Sequence, residues 1–325
     1  MPYKLKTAEI NIGVVGLGLM GSSIAVSLLI AGHKVKGIAP IPEDKMIAPE
    51  RIKDQLLHCQ KAGLLDHPAE TYLSRLTITE DYGQLNDCGV VVECVIEKDD
   101  IKEQVYQKIV SNVGSEVIIA SNTSAIPISS LQQYIGNPER FLGIHWAEPA
   151  YATRFLEITC GKHTSPKKAR WVFDLAHLWG KEPTLLKKDI RGFITNRLMY
   201  SVYREGLSMV EKGEASLEDI DKSFRYDEGS WITLMGIFRR MDMMGLKNYM
   251  ETFKTVFPKL SNSENIPAIM QKMLEINAKG IQNSKGLYPY KDGEAKAWEE
   301  AFSLFNKDIY LLADEYSQNN AEILK

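Results

Sequence analysis

From the amino terminus to Asp189, short apolar runs alternate with stretches whose apolar residues recur every three or four positions. The first kind has the length of strands, and the second marks one buried face of a helix. The pattern predicts strands at Ile12–Val15, Val35–Ile38, Gly89–Cys94, Val117–Ala120, Gly143–Trp146 and Phe155–Thr159. Between them it predicts helices at Ser22–Ala31, from about Glu50 to Lys61, at Lys102–Ile109 and at Ser165–Trp179, with a polar connection after Lys61. Strands alternating with helices in this way predict an α/β domain whose mostly parallel sheet is covered on both faces. From Phe193 onward the helical period continues with hardly a convincing strand. A second, all-α domain is therefore expected, with domains at 1–189 and 190–325. In it, Asn196–Glu211 reads as a helix stopped by Gly213, and Ser216 with Asp219 reads as a helix cap.

Composition narrows the class. With 325 residues, 44% hydrophobic and 25% charged, the chain is an ordinary globular one, long enough for two cores. A formal charge of -3 with both signs mixed along the length offers no basic stripe, so nucleic acid is not an expected partner. The uncharged stretch Ile10–Gly32, behind Lys4 and Lys6, superficially imitates a signal peptide or a membrane span. Gly13, Gly16, Gly18 and Gly21 argue instead for a strand, a tight turn and a buried helix, and no membrane association is expected. Cys59, Cys88, Cys94 and Cys160 have neither disulfide-framework nor zinc spacing. They read as free thiols of a cytoplasmic protein, and no ligand cluster suggests a metal.

The segment Gly16-Leu17-Gly18-Leu19-Met20-Gly21 lies between a predicted strand and a predicted helix, the context of a dinucleotide-binding loop. Gly16 suits the tight turn, Gly18 the approach of the backbone to a pyrophosphate, and Gly21 the close packing of helix on strand. Free N–H groups at the helix start would face the phosphates. A doubly wound, Rossmann-type sheet binding NAD is therefore expected, followed by the helical domain. The acidic residue that usually ends the second strand is missing, because Ala39 and Pro40 stand there. NADP therefore stays open as the cofactor, with Glu43 or Asp44 as substitute acceptors if the loop folds back.

A polar series follows: Ser121-Asn122-Thr123-Ser124, His145 and Glu157. Oxidation of an alcohol needs a base, and an imidazole can take the hydroxyl proton near neutral pH. A carboxylate on its other nitrogen would fix the tautomer and stabilise the imidazolium, and Glu157 is the candidate.

These segments resemble, in order and spacing over nearly the whole chain, the L-3-hydroxyacyl-CoA dehydrogenase family. The resemblance rests on Gly16 to Gly21, Val91 to Glu97 with Lys102, Ala120 to Ser124, Gly143-Ile144-His145, Arg154 to Glu157 and Gly192 to Arg197. It implies catalysis by His145 and Glu157, with Ser124 and Asn196 holding substrate and cofactor. Glu97, Lys102 and Asn122 would join the glycine loop, including Leu19 and Met20, in the nucleotide site. Glu211 to Asp221 and Met235 to Leu246 resemble the family's helical dimerisation domain, which implies a homodimer acting on a small-molecule substrate. The resemblance implies reversible oxidation of an L-3-hydroxyacyl-CoA, such as 3-hydroxybutyryl-CoA, to its 3-keto product, and two departures from the family pattern make a small free 3-hydroxy acid, as in the carnitine and gulonate dehydrogenases, the alternative. Glu148 replaces an Asn of the family pattern, and the helix Arg51–Lys61 lacks the Ser and Lys used toward CoA. Glu148 and Arg154 are accordingly candidate substrate residues. A nucleotide-binding protein without turnover is the alternative of another class.

Overall fold

The computed structural model describes residues 6–319. Lys4 and the outermost ends of both expected domains lie outside them. The chain divides into two compact units, Met1–Asn196 and Arg197–Lys325.

The first unit is built on β1 (Asn11–Val15), β2 (Val35–Ile38), β3 (Leu76–Thr79), β4 (Cys88–Glu93), β5 (Ile118–Ser121), β6 (Phe141–Trp146), β7 (Phe155–Thr159) and β8 (Glu182–Leu186). They form one sheet in the order β3-β2-β1-β4-β5-β6-β7-β8. Every neighbouring pair is parallel except β6 with β7. Its helices are α1 (Leu19–Ile30), α2 (Pro42–Lys61), α3 (Ala69–Leu73), α4 (Asp99–Asn112), α5 (Ile128–Leu131) and α6 (Pro166–Leu178). Alternation along β4 explains the layering. Val90 and Val92 join a core with Ile24 and Leu28 of α1, Ile52 and Leu56 of α2 and Val172 of α6, while Val91 joins one with Tyr106 and Ile109 of α4 and Leu131 of α5. Strands buried on both faces read as continuous apolar runs, which is why the central strands were recognisable.

The expected fold class holds, and the differences lie at the edges. Strands β3 and β8 are the two ends of the sheet, only partly buried, and sequence reading passed over both. An edge strand needs few apolar residues and tolerates Pro183, which lacks a ladder donor. Helix α2 starts at Pro42, well before the expected Glu50. Pro at its first position and Glu43 and Asp44 in its first turn favour that start, whereas Pro49 inside the helix disguised it. Helix α1 starts at Leu19, within the glycine segment.

The second unit comprises α7 (Thr195–Glu211, whose first residues belong to unit one), α8 (Leu217–Ser223), α9 (Gly229–Met244), α10 (Leu246–Val256), α11 (Ala268–Glu275) and α12 (Glu294–Asn319). Ser216 caps α8 by accepting the Asp219 N–H at 3.1 Å, as its spacing predicts. No helix among the described residues is long and apolar enough to cross a membrane.

Candidate active site

The chain passes from β1 outward through β2 and β3, then returns to β4 on the other side of β1. This reversal of strand order opens a crevice at the carboxyl ends of β1 and β4, the place where such sheets bind ligands. The glycine segment leaves β1 there. Gly16 has φ +91°, a left-handed conformation that a side chain would strain, and its N–H donates to Ile38 O at 2.9 Å. A Cβ on Gly21 would stand 1.8 Å from Gly16 O, so only glycine lets α1 start against the turn. A Cβ on Gly18 would meet nothing within 4 Å, leaving open space directly over the start of α1. That opening, faced by the first amides of α1, fits a dinucleotide pyrophosphate. Gly16, Gly18, Leu19, Met20 and Gly21 are thus one turn and one helix start.

The loop is braced from α2, a feature absent from the sequence pattern. Asp44 Oδ2 accepts the Leu17 N–H at 3.1 Å, and Arg51 Nη1 donates to Leu17 O at 2.8 Å.

Beside it, β4 ends in Glu93, fully buried. Its carboxylate accepts from Lys102 Nζ at 2.8 and 2.9 Å, Tyr106 OH at 2.6 Å, Ser121 Oγ at 2.8 Å and the Val95 N–H at 2.7 Å. Burial, then repulsion from Glu93, pushes the Tyr106 phenol well above its ordinary pKa. Sequence reading named Lys102 and Ser121 but gave Glu93 and Tyr106 no role, although a Glu closing an apolar strand was the signal. Lys102 lies in the interior with Glu93 and, 3.4 Å away, Glu97 Oε2. Glu97 Oε1 accepts the Ser124 N–H at 3.0 Å, and Asn196 Nδ2 donates to Ser124 O at 3.0 Å. Glu97, Lys102, Ser124 and Asn196 are therefore linked in one chain of contacts, with Ser124 exposed.

Next in the sheet, His145 and Glu157 face each other in register across the antiparallel β6–β7 pair. His145 Nδ1 lies 3.2 Å from Glu157 Oε2, and Glu157 Oε1 accepts the Ile194 N–H at 2.7 Å. Glu157 is fully buried, while His145 keeps a small accessible edge at 9% exposure. Phe155 meets the imidazole edge-on at 5.4 Å and Phe193 tilts against it at 5.9 Å. Asn122 Oδ1 accepts the Trp146 N–H at 3.1 Å, tying the end of β5 to the residue after His145.

The loop from Ala147 to Thr153 carries Glu148, exposed, and leads to Arg154, partly buried. Lys181 Nζ donates to Ala150 O and Thr153 O at 2.5 Å each and lies 5.3 Å from the Trp146 ring centre. Burial lowers the Lys181 pKa to about 7. The Ala150 N–H donates to Ser23 Oγ of α1 at 2.7 Å, so the helix of the glycine loop also holds this segment.

Residues 11–190 match the profile of the 3-hydroxyacyl-CoA dehydrogenase NAD binding domain, and residues 192–290 that of the 3-hydroxyacyl-CoA dehydrogenase C-terminal domain. The 5-formyl-3-hydroxy-2-methylpyridine 4-carboxylate 5-dehydrogenase of Mesorhizobium japonicum is 30% identical over 88% of this chain and 93% of its own. A probable 3-hydroxybutyryl-CoA dehydrogenase of Deinococcus radiodurans is 30% identical over 86% of this chain and 99% of its own. Among solved structures, a pyridine-carboxylate dehydrogenase of the first kind, described as an NAD+ dependent dismutase, gives a TM-score of 0.86 at 28% identity, covering 94% of this chain and 98% of its own. The (S)-3-hydroxybutyryl-CoA dehydrogenase of Ralstonia eutropha gives 0.71 at 26% identity, covering 87% and 99%.

Proposed function

The chain belongs to the 3-hydroxyacyl-CoA dehydrogenase family of NAD-dependent oxidoreductases acting on CH–OH donors, and on that premise we propose that it oxidises a hydroxyl group of a small carboxylic acid, reversibly, with His145 as the base. The observation that carries this reading is the contact of His145 Nδ1 with buried Glu157. A carboxylate there holds Nδ1 protonated and turns Nε2 toward the substrate hydroxyl as a proton acceptor. NAD, when bound, would supply the acceptor for the hydride that leaves the hydroxyl-bearing carbon. As Nε2 takes the proton, Glu157 stabilises the imidazolium. The Ile194 N–H keeps the second carboxylate oxygen in place. Ser124 and Asn196 position the substrate oxygen and the nicotinamide end of the cofactor. Gly16 to Gly21 would receive the pyrophosphate, and Glu97, Lys102 and Asn122 would complete the nucleotide site.

The likeness to the pyridine-carboxylate dehydrogenase, with a TM-score of 0.86 against 0.71 for the 3-hydroxybutyryl-CoA enzyme, supports a free carboxylate as the substrate's anchor. Arg154 is the group proposed to grip that carboxylate, and Glu148 to bind a hydroxyl or ammonium group of the same substrate. An L-3-hydroxyacyl-CoA is the second reading, favoured by the relatives named for CoA thioesters. Reduction of acetoacetyl-CoA, free acetoacetate and dehydrocarnitine, followed by loss of NADH absorbance, tests both. Turnover confined to the free acids supports the first reading, and efficient turnover of the thioester replaces it by the second.

The active form is a homodimer built by the helical unit. Among its described residues no apolar side chain is buried, while Phe238 is 74% exposed and Trp298 63%. So large an apolar surface needs a covering partner. Four unbridged cysteines fit a cytoplasmic location.

A further inference from the structure

Strand β2 ends at Ile38, and the next residue, Ala39, is buried with its N–H spent on Thr79 O at 2.9 Å. Its methyl group cannot accept a hydrogen bond, so the usual ribose-binding carboxylate has no place there. A carboxylate nevertheless reaches the same edge of the loop. Because α2 begins so soon after β2, Asp44 falls in its first turn and binds the Leu17 N–H at 3.1 Å. Leu17 lies between the first two glycines of the loop, against the end of β2. The Gly16 N–H bonds Ile38 O, and Leu17 Cδ1 would stand 3.0 Å from a Cβ on Gly37.

Resting on the NAD assignment, we infer that Asp44 is this chain's acceptor for the adenosine ribose hydroxyls and the residue that favours NAD over its 2'-phosphorylated form. One carboxylate oxygen holds the Leu17 amide. The other has lone pairs for a ribose hydroxyl, a charge-assisted bond stronger than a neutral one. A 2'-phosphate in that position meets a like charge. Arg51 is the opposing influence. Nη1 is engaged by Leu17 O, but a guanidinium has further donors that suit a phosphate, so the ratio of the two affinities is the decisive quantity.

The test is calorimetric titration of the full-length protein with NAD+ and with NADP+, for wild type, Asp44→Asn, Asp44→Ala and Arg51→Ala. Asn can keep the Leu17 bond through its amide oxygen while losing the charge. Both Asp44 variants should weaken NAD+ about ten- to hundredfold and NADP+ much less, so the preference collapses. Arg51→Ala, which removes a brace and a cation, should retain or sharpen the preference. The inference is overturned if Asp44→Asn leaves NAD+ affinity unchanged, or if both Asp44 variants weaken the two nucleotides equally, as the loss of a loop brace alone would do. Failure of the wild type to bind either nucleotide would overturn the NAD assignment itself. Substrate turnover plays no part in these outcomes, so the choice of substrate stands or falls separately.

Discussion

His33 and Lys181 illustrate, at the scale of the residue, how burial dominates a titration. The Trp179 indole N–H donates to His33 Nε2 at 2.8 Å, and His33 Nδ1 lies 2.7 Å from Ile10 O. Both nitrogens are used by the neutral ring, and burial lowers the His33 pKa below 6.5. On acidification the unfolded chain takes up a proton before the native one does, so this contribution is complete above pH 6.5 and lost as pH falls further. His33→Gln should flatten the acid limb of a plot of Tm against pH. For Lys181, with its pKa lowered from 10.5 to about 7, the same sign applies in a higher window: the contribution is full above 10.5 and lost as pH falls to about 7. Relative to wild type, Lys181→Met should therefore be most stable near pH 7 and lose ground toward pH 10 in calorimetric melts. A constant difference would mean that Lys181 is charged throughout. Neither environment was legible in the sequence, because the partners are separated by 146 residues for His33 and 28 and 31 for Lys181.

At the scale of the element, the turn from β1 into α1 is the most constrained part of the first unit. Gly21→Ala would place a methyl carbon 1.8 Å from Gly16 O, forcing α1 away from the turn. Overpacking of this kind costs about 1–3 kcal/mol, and both the denaturation midpoint and NAD affinity should fall. Unchanged NAD affinity would contradict the packing role given to Gly21. This turn could be read from the sequence because its demands are local: positive φ, an open approach and a close contact all select glycine. The start of α2 was hidden by Pro49, and β3 and β8 by their half-exposed edge positions. The bracing of Leu17 from α2 depends on tertiary packing, which neither periodicity nor spacing records. The same holds for His145 and Glu157, whose meeting is a matter of antiparallel register between two strands.

The whole molecule presents two contrasting halves. Buried apolar residues fill both faces of the sheet, whereas the helical unit has none among its described residues. Its last helix carries Trp298, Phe302, Phe305, Ile309, Leu312 and Tyr316 at alternating steps of four and three, the spacing of a seam between helices. Sedimentation equilibrium should return twice the 36.7 kDa chain mass. Phe238→Glu with Phe305→Glu should shift the protein toward monomer, and a monomeric wild type would contradict the dimer. The proposed role of His145 as proton acceptor is tested by comparing wild type with His145→Gln in NAD affinity and in turnover of the preferred substrate. Folding and NAD binding should be intact in the variant, with turnover lower by roughly two to four orders of magnitude. A variant that binds NAD and turns over at the wild-type rate would contradict that role.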